Sequence, residues 1–515
     1  MSTQLGPTRA AVCLALLSLA AGTFAINCWR LQTFRVAGPL DMAYYNQQLF
    51  NLGRAPITVR PQNAYATEGP AAWRTNHLRP ITFLVAPLYR LYPRPETLFA
   101  LGSSIVAAGV LVVYRIVSRD RGAAAGAVAA TLYASAPPLW LVTATDFRYM
   151  YLGIPVGLLV ADSLQRRRVL PFLAAVVLWA TIREPYSIVL ATLGIAHAVS
   201  NFRNARDRRF VALALGLAAA WFVLHVAYLA WAYGFATAGR YLWAVTHPTE
   251  AYGMVQGAVP RALQREATRL ALHFAPLVLL GIGRPVAMAA GVLLLLPPMR
   301  MGLFSLHPAV QYVRYICPAL VLLLWAAVMS VSAFWSSRWG RLYVIALLCL
   351  QFIALSVVLG PGPSWLDGSG KDGLLTFPAR YSTVDQRAGV AELLRRIPTD
   401  QAVVAPRGVL LNLSPRTVLY DYYQPGPGLE PLEVARRARW LVVEKAVFLL
   451  VGAEAPVRAE VWRAIRQTAG ATGVKDRSVW ERFVRWLARI RAGEQGWRVI
   501  YEGAELMVLR RDPSD

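Results

Sequence analysis

The chain has 515 residues, 56% of them hydrophobic and 16% charged, with a mean hydropathy of +0.42. Soluble domains carry about 25% charged residues, so a purely soluble enzyme is excluded, and so is a disordered chain. The net charge of +25, from 53 Lys and Arg against 28 Asp and Glu, would suggest nucleic acid in a soluble protein. Here the basic residues sit between apolar runs, where cytoplasmic loops keep them, and no nucleic-acid partner is expected.

A membrane-spanning helix needs about 20 apolar residues. Runs free of Asp, Glu, Lys and Arg cover 10–29, 97–114, 122–145, 185–202, 210–239, 315–337 and 342–366. Shorter ones cover 149–161, 169–182, 270–283 and 285–299, the last two readable instead as a re-entrant hairpin around Gly283-Arg284-Pro285. Together they predict about eleven spans. With the N-terminus inside, the inner loops hold Arg115, Arg119 and Arg121, then Arg166 to Arg168, then Arg203, Arg206, Arg208 and Arg209, then Arg284, then Arg338 and Arg341. Each inner loop is basic, as the positive-inside rule requires. The first run exceeds a signal-peptide apolar core and reads as an uncleaved first span.

The first outer loop, about 30–96, opens with a Gly38-Pro39 break. Beyond it Met42, Tyr45, Leu49 and Leu52 recur at spacings of three and four. That pattern predicts an amphipathic helix along the outer membrane surface. Asp41 lies in its first turn, where the helix dipole favours an acid. From 367 charges become frequent and β-rich runs appear at 402–404, 417–420, 440–443, 447–450 and 497–501. Helical patterns around 384–397, 430–438, 456–468 and 479–492 separate several of them. The alternation predicts a small α/β domain. It holds no GxGxxG or GxxxxGK[ST] nucleotide fingerprint. The four cysteines, Cys13, Cys28, Cys317 and Cys349, form no CxxC pair, so no zinc or redox motif is encoded.

Five polar groups interrupt this apolar background. They are Asp41; Asn76-His77-Leu78-Arg79-Pro80; Asp146-Phe147-Arg148; Arg183-Glu184-Pro185; and His307-Pro308 with Gln311, Arg314 and Tyr315. Singly, each has a structural explanation such as helix capping, interfacial anchoring or a local ion pair. The span count, however, puts all five on one side. A site there combines carboxylates, guanidinium groups and imidazoles, which suits transfer from a phosphate-linked donor. A carboxylate can take the proton of an acceptor hydroxyl, and arginine can hold a phosphate leaving group.

The order of these motifs resembles the bacterial family of predicted membrane proteins carrying domain of unknown function 2079. It runs from a span and an acidic amphipathic helix to His-x-x-Pro with Ala86-Pro87, then an Asp-Phe turn, then Arg-Glu. The stretch Leu413-Ser414-Pro415-Arg416 with Tyr420 is similar to that family's L-S-x-R…Y. The family in turn resembles the GT-C superfamily of membrane glycosyltransferases. The resemblance implies a polyprenyl-phosphate sugar donor, an extracytoplasmic active site and an essential acid in the first outer loop, matched here by Asp41. Asp146 matches a second acidic turn that binds metal in some branches. The family reads Asp-Phe-His there and Arg-Glu-Asp at the third turn. Here Arg148 replaces the His and Pro185 replaces the Asp. Losing one ligand at each turn argues against a bound Mg²⁺ or Mn²⁺, and no other cofactor is expected.

The resulting expectation is an all-α polytopic membrane domain over 1–366 with about eleven GT-C-like transmembrane helices, followed by a small extracytoplasmic α/β domain over 367–515. The protein is placed in the bacterial inner membrane with its N-terminus in the cytoplasm. Asp41, Asp146 and Glu184 are the candidate catalytic residues. His77, Arg79, Arg148, Arg183, Arg314 and Tyr315 are the candidate substrate and phosphate ligands. The expected activity moves a sugar from a polyprenyl phosphate to a lipid, glycan or protein acceptor. The alternatives are a transporter or flippase of lipid-linked intermediates, which would show internal repeats, and a non-catalytic membrane scaffold.

Overall fold

The computed structural model describes all residues except 1–5, 34–38, 53–77, 202–204, 247–257, 301–310, 361–393, 395, 424–428, 453–454, 470–475, 504 and 513–515. His77, His307 and the helix expected around 384–397 fall wholly or largely outside the described residues. The chain divides into two compact units. One comprises Met1–Cys28, His77–Ile81 and Phe99–Pro378; the other comprises Trp29–Asn76, Thr82–Leu98 and Ala379–Asp515. Of the first outer loop, the described residues 39–52 and 82–96 fall in the second unit.

In chain order the early helices are α1 (Pro7–Gln32), α2 (Pro39–Phe50), α3 (Ile81–Leu91), α4 (Pro95–Ala134), α5 (Pro137–Thr143), α6 (Tyr149–Gln165), α7 (Val169–Ala180) and α8 (Tyr186–Asn201). They are followed by α9 (Ala205–Tyr233), α10 (Phe235–Thr246), α11 (Ala258–Gly281), α12 (Pro285–Leu293), α13 (Leu296–Arg300), α14 (Cys317–Phe334) and α15 (Arg338–Leu359). The described part of each apolar run read from the sequence falls largely on these helices. Among the described residues five helical segments are long and apolar enough to cross a membrane: Pro7–Gln32, Pro95–Ala134, Asp207–Tyr233, Arg314–Phe334 and Arg338–Leu359.

Where the runs break, the backbone gives the reason. Gly122 takes φ 83°, and a Cβ there would meet nothing, so α4 is two helical stretches joined at the Arg119–Gly122 turn. Pro137 and Pro138 open α5, and Pro137 has no N–H to continue the preceding helix. The run over 210–239 is split at Gly234, with φ 85°, into α9 and α10. Helix α14 is buried along nearly its whole length. Other helices of this unit expose large apolar side chains, among them Leu17, Val223, Leu224, Trp231, Phe352 and Ile353. Such a surface suits lipid rather than water. Loop arginines are partly consumed in ion pairs: Arg119 with Asp162 at 2.9 Å, Arg166 with Asp120 at 2.8 Å and Arg167 with Asp207 at 2.5 Å.

The C-terminal part of the second unit contains β1 (Val403–Ala405), α16 (Leu410–Leu413), β2 (Leu419–Asp421), α17 (Pro431–Arg437), β3 (Trp440–Glu444), α18 (Leu449–Gly452), α19 (Ala455–Ala469), α20 (Arg477–Arg491), β4 (Trp497–Glu502) and β5 (Leu506–Arg511). The strands form one mixed sheet in the order β2-β1-β3-β5-β4. Strand β1 pairs parallel with β2 and β3, whereas β5 pairs antiparallel with β3 and β4. Helix α20 is capped by Asp476, whose carboxylate accepts the Ser478 N–H at 2.8 Å. Val479, Trp480, Phe483, Val484, Leu487 and Ile490 recur at helical spacing and fill the core. Two sequence expectations are corrected. The run 447–450 is helical turn, not strand, because Val447 and Leu450, three apart, are buried while Leu449 is exposed. Strand β5, absent from the sequence reading, is the hairpin partner of β4 and holds the antiparallel half of the sheet together.

Candidate functional site

In the first unit, α5 delivers the chain into a turn that carries Asp146 and Arg148. The two are buried at 3% and 1% exposure, and both Nε and Nη2 of Arg148 donate to Asp146 Oδ2, at 2.8 and 2.5 Å. Phe147 between them packs edge-on against Tyr149 and Tyr151, at 5.1 and 5.9 Å between ring centroids. The buried guanidinium of Arg79 lies 5.2 Å from the Tyr149 ring centroid, a cation–π contact. Its segment is tied to the next turn by the Ile81 N–H, which donates to Thr181 O at 2.9 Å.

That next turn carries Arg183 and Glu184, both buried. It is locked to α6 by Tyr186, whose hydroxyl donates to the Met150 carbonyl and whose ring stacks on Trp179 at 4.9 Å. Gly153 makes the approach possible, since a Cβ there would lie 2.3 Å from the Tyr186 ring. The third contributor is the start of α14. Cys317 is fully buried there, and Arg183, Asp146 and Arg314 all lie within electrostatic reach of its thiol. Arg314 sits half-buried in the preceding 3₁₀ turn, 5.0 Å over the Tyr315 ring and 3.3 Å from its hydroxyl.

The structure therefore brings together Arg79, Asp146, Arg148, Arg183, Glu184 and Arg314, with Tyr315 beside the last. Arg183, Arg314 and the Asp146–Arg148 pair meet at the Cys317 end of α14, with Arg79 over the neighbouring Tyr149 and Glu184 next to Arg183, a surplus of positive charge. In a poorly polarisable interior such charges act strongly on a ligand. Sequence reasoning missed Tyr151, Cys317 and His225, and gave Tyr186 no role of its own. His225 lies mid-way along α9, fully buried, within electrostatic reach of Glu184 and Arg183. Its signal was present: a lone imidazole inside an apolar span. Among the described residues no three His, Cys, Asp or Glu side chains gather as a metal-binding group.

Asp41 belongs to the second unit. It stands in the first turn of α2 and is 8% exposed. The expected surface helix is in fact buried on its polar side too: Asn46, Gln47, Gln48 and Asn51 are each at most 1% exposed. Asn46 Nδ2 donates to Ser414 Oγ at 2.6 Å, and its Oδ1 accepts from the Tyr89 hydroxyl at 2.6 Å. Gln47 and Asn51 both donate to the Thr417 carbonyl, at 3.3 and 2.9 Å. The Leu413-Ser414-Pro415-Arg416 stretch is thus a docking loop for the Asp41 helix. Arg416 shapes it from within by donating to the carbonyls of Leu413, Pro398 and Gln401. Burial pushes its guanidinium down to about 10.

Together these features define a multi-pass helical membrane protein with a small α/β domain and a buried, arginine-rich site. The chain belongs to the family described as predicted membrane protein DUF2079, whose model matches residues 75–444. Asp41 lies upstream of that stretch. No curated protein matches the chain. Among solved structures, it is similar to ArnT from Cupriavidus metallidurans bound to undecaprenyl phosphate, with 12% identity, TM-score 0.48, and coverage of 98% of this chain and 99% of that one. It is also similar to the Archaeoglobus fulgidus oligosaccharyltransferase in complex with Zn and sulfate, with 13% identity, TM-score 0.47, and coverage of 92% and 71%.

Proposed function

We propose that this protein is a membrane glycosyltransferase of the GT-C kind. It moves a sugar from a polyprenyl phosphate to a lipid, glycan or protein acceptor on the outer face of the bacterial inner membrane. The chain crosses that membrane about eleven times, from a cytoplasmic N-terminus to an extracytoplasmic C-terminal domain. One observation carries this reading: Arg148, Arg183 and Arg314 gather around the start of α14, with Arg79 over the adjoining Tyr149. Such a cluster suits a phosphate that gains charge as it leaves.

The acceptor hydroxyl oxygen attacks the anomeric carbon, the bond from that carbon to the phosphate oxygen breaks, and the polyprenyl phosphate departs with the electron pair. The arginines hold it. Asp41 takes the hydroxyl proton. Asp146, engaged by Arg148, positions that guanidinium rather than acting as a base, and Glu184 orients Arg183. The docking loop at Ser414–Thr417 supports the Asp41 helix.

Membranes containing the protein are supplied with sugar-labelled undecaprenyl-phosphate donors. Asp41→Asn and Arg183→Gln are expected to lower transfer by about a hundredfold or more. Unchanged transfer in Asp41→Asn removes that acid from the mechanism, and unchanged transfer in Arg183→Gln removes the arginine cluster. Alkaline phosphatase fused after Asp515 is expected to be active, and an inactive fusion overturns the sidedness.

A further inference from the structure

Four carboxamides lie on or just beyond α2, and three are spent on the fold. Asn46 bonds Ser414 and Tyr89, while Gln47 and Asn51 share the Thr417 carbonyl. Gln48 is different. Its side chain is buried at 1% exposure, and neither Oε1 nor Nε2 has a hydrogen-bond partner among the described residues. A stranded buried amide is costly, and the cheap remedy is an apolar residue of the same size. The amide is therefore informative about what it meets. It also lies seven residues after Asp41, about 10 Å along the axis and on the same face of the helix, with Tyr44 between them.

The chemistry of the amide selects the ligand. A carboxamide offers two N–H donors and one acceptor oxygen. A phosphate only accepts, and would leave Oε1 unmet. A polyprenyl tail would satisfy neither atom. Neighbouring hydroxyls of a sugar both donate and accept, and so satisfy both. We infer that Gln48 binds hydroxyl groups of the transferred sugar, which makes this face of α2 a sugar-recognition surface as well as the carrier of the acid. The inference rests on the transferase reading above and names the part of the substrate that Gln48 recognises.

The test is Gln48→Met, which keeps the volume and removes both polar atoms. Full-length protein in detergent is titrated with undecaprenyl phosphate and, separately, with undecaprenyl-phosphate-linked glucose, mannose and arabinose, following tryptophan fluorescence; Tm is measured alongside. Wild-type protein is expected to bind at least one sugar-bearing lipid about tenfold more tightly than the bare lipid phosphate. Gln48→Met is expected to erase that difference, to bind undecaprenyl phosphate as wild type does, and to melt no lower. A retained sugar preference in Gln48→Met overturns the assignment. So does a lowered Tm with both lipids bound more weakly, which marks a structural amide. Wild-type binding of the bare lipid with no preference for any sugar overturns the role of Gln48 alone. Binding of neither lipid class by wild type overturns the transferase reading itself, and this inference with it.

Discussion

The seam that holds the Asp41 helix can be tested by uncoupling two of its atoms. Tyr89 donates its hydroxyl to Asn46 Oδ1 at 2.6 Å, and both residues are at most 1% exposed. Asn46→Ala removes the acceptor of the Tyr89 hydroxyl bond and the donor of the bond to Ser414. Ser414 itself stays satisfied through the Leu411 carbonyl at 2.7 Å. Two lost hydrogen bonds of about 0.5–1.5 kcal/mol each put the single variant about 1–3 kcal/mol below wild type. Tyr89→Phe removes the hydroxyl but leaves the buried Asn46 Oδ1 without its donor, and costs about 1–3 kcal/mol. The double variant also removes the Asn46 oxygen that Tyr89→Phe leaves unmet. Its cost should fall short of the sum of the singles by about 1–2 kcal/mol. Urea unfolding in detergent is the assay, followed by tryptophan fluorescence, since Trp480, Trp486 and Trp497 are buried in the same unit. Additive costs, with no coupling between the two sites, would refute the claim that this pair anchors the helix.

Asp146→Asn should sharply lower the yield of folded protein, because breaking a buried ion pair from one side costs about 3–5 kcal/mol. The double replacement Asp146→Leu with Arg148→Leu should restore yield but not transfer; if it restores neither, the pair is doing more than balancing charge. In the C-terminal sheet, the hydrogen bond from Lys445 and the nearby charge of Arg491 hold the Glu502 carboxyl below its ordinary 4.5. A depressed acid stabilises the fold above its unfolded value and loses that contribution as pH falls through the folded one. The group is partly solvated, so the contribution is under about 1 kcal/mol. Lys445→Met should therefore lower stability slightly at pH 7 and flatten the loss between pH 5 and 3 (roughly the window a lowered carboxylate sets). An acid limb as steep as wild type in pH-dependent melting would contradict this.

Much of the architecture could be read before any coordinates. Apolar runs free of charge are long enough to require helices, since a lipid-exposed backbone must satisfy its own hydrogen bonds. Positive loops between them follow from sidedness. Gly122, Pro137 and Gly234 stop helices because of what their own backbones can and cannot do. These are local properties, and local properties are legible. The same holds for α20, whose cap and periodicity lie within one segment. The run over 447–450 failed because four apolar residues satisfy helical turn and strand equally until their neighbours are known.

The site divides in the same way. The sequence alone determined which residues carry charge within an apolar chain, and that their turns alternate with spans. Only the tertiary structure decided that the turns at 146–148 and 183–184 meet the start of α14. That meeting depends on Gly153 admitting the Tyr186 ring and on Tyr186 reaching the Met150 carbonyl. It also decided that α2 hides its amides against the Ser414 loop instead of lying on lipid, and that Gln48 is left over. The physical reason is that a side chain's chemistry belongs to its residue, whereas its burial and its partners belong to segments hundreds of positions away, such as the 368 that separate Asn46 from Ser414.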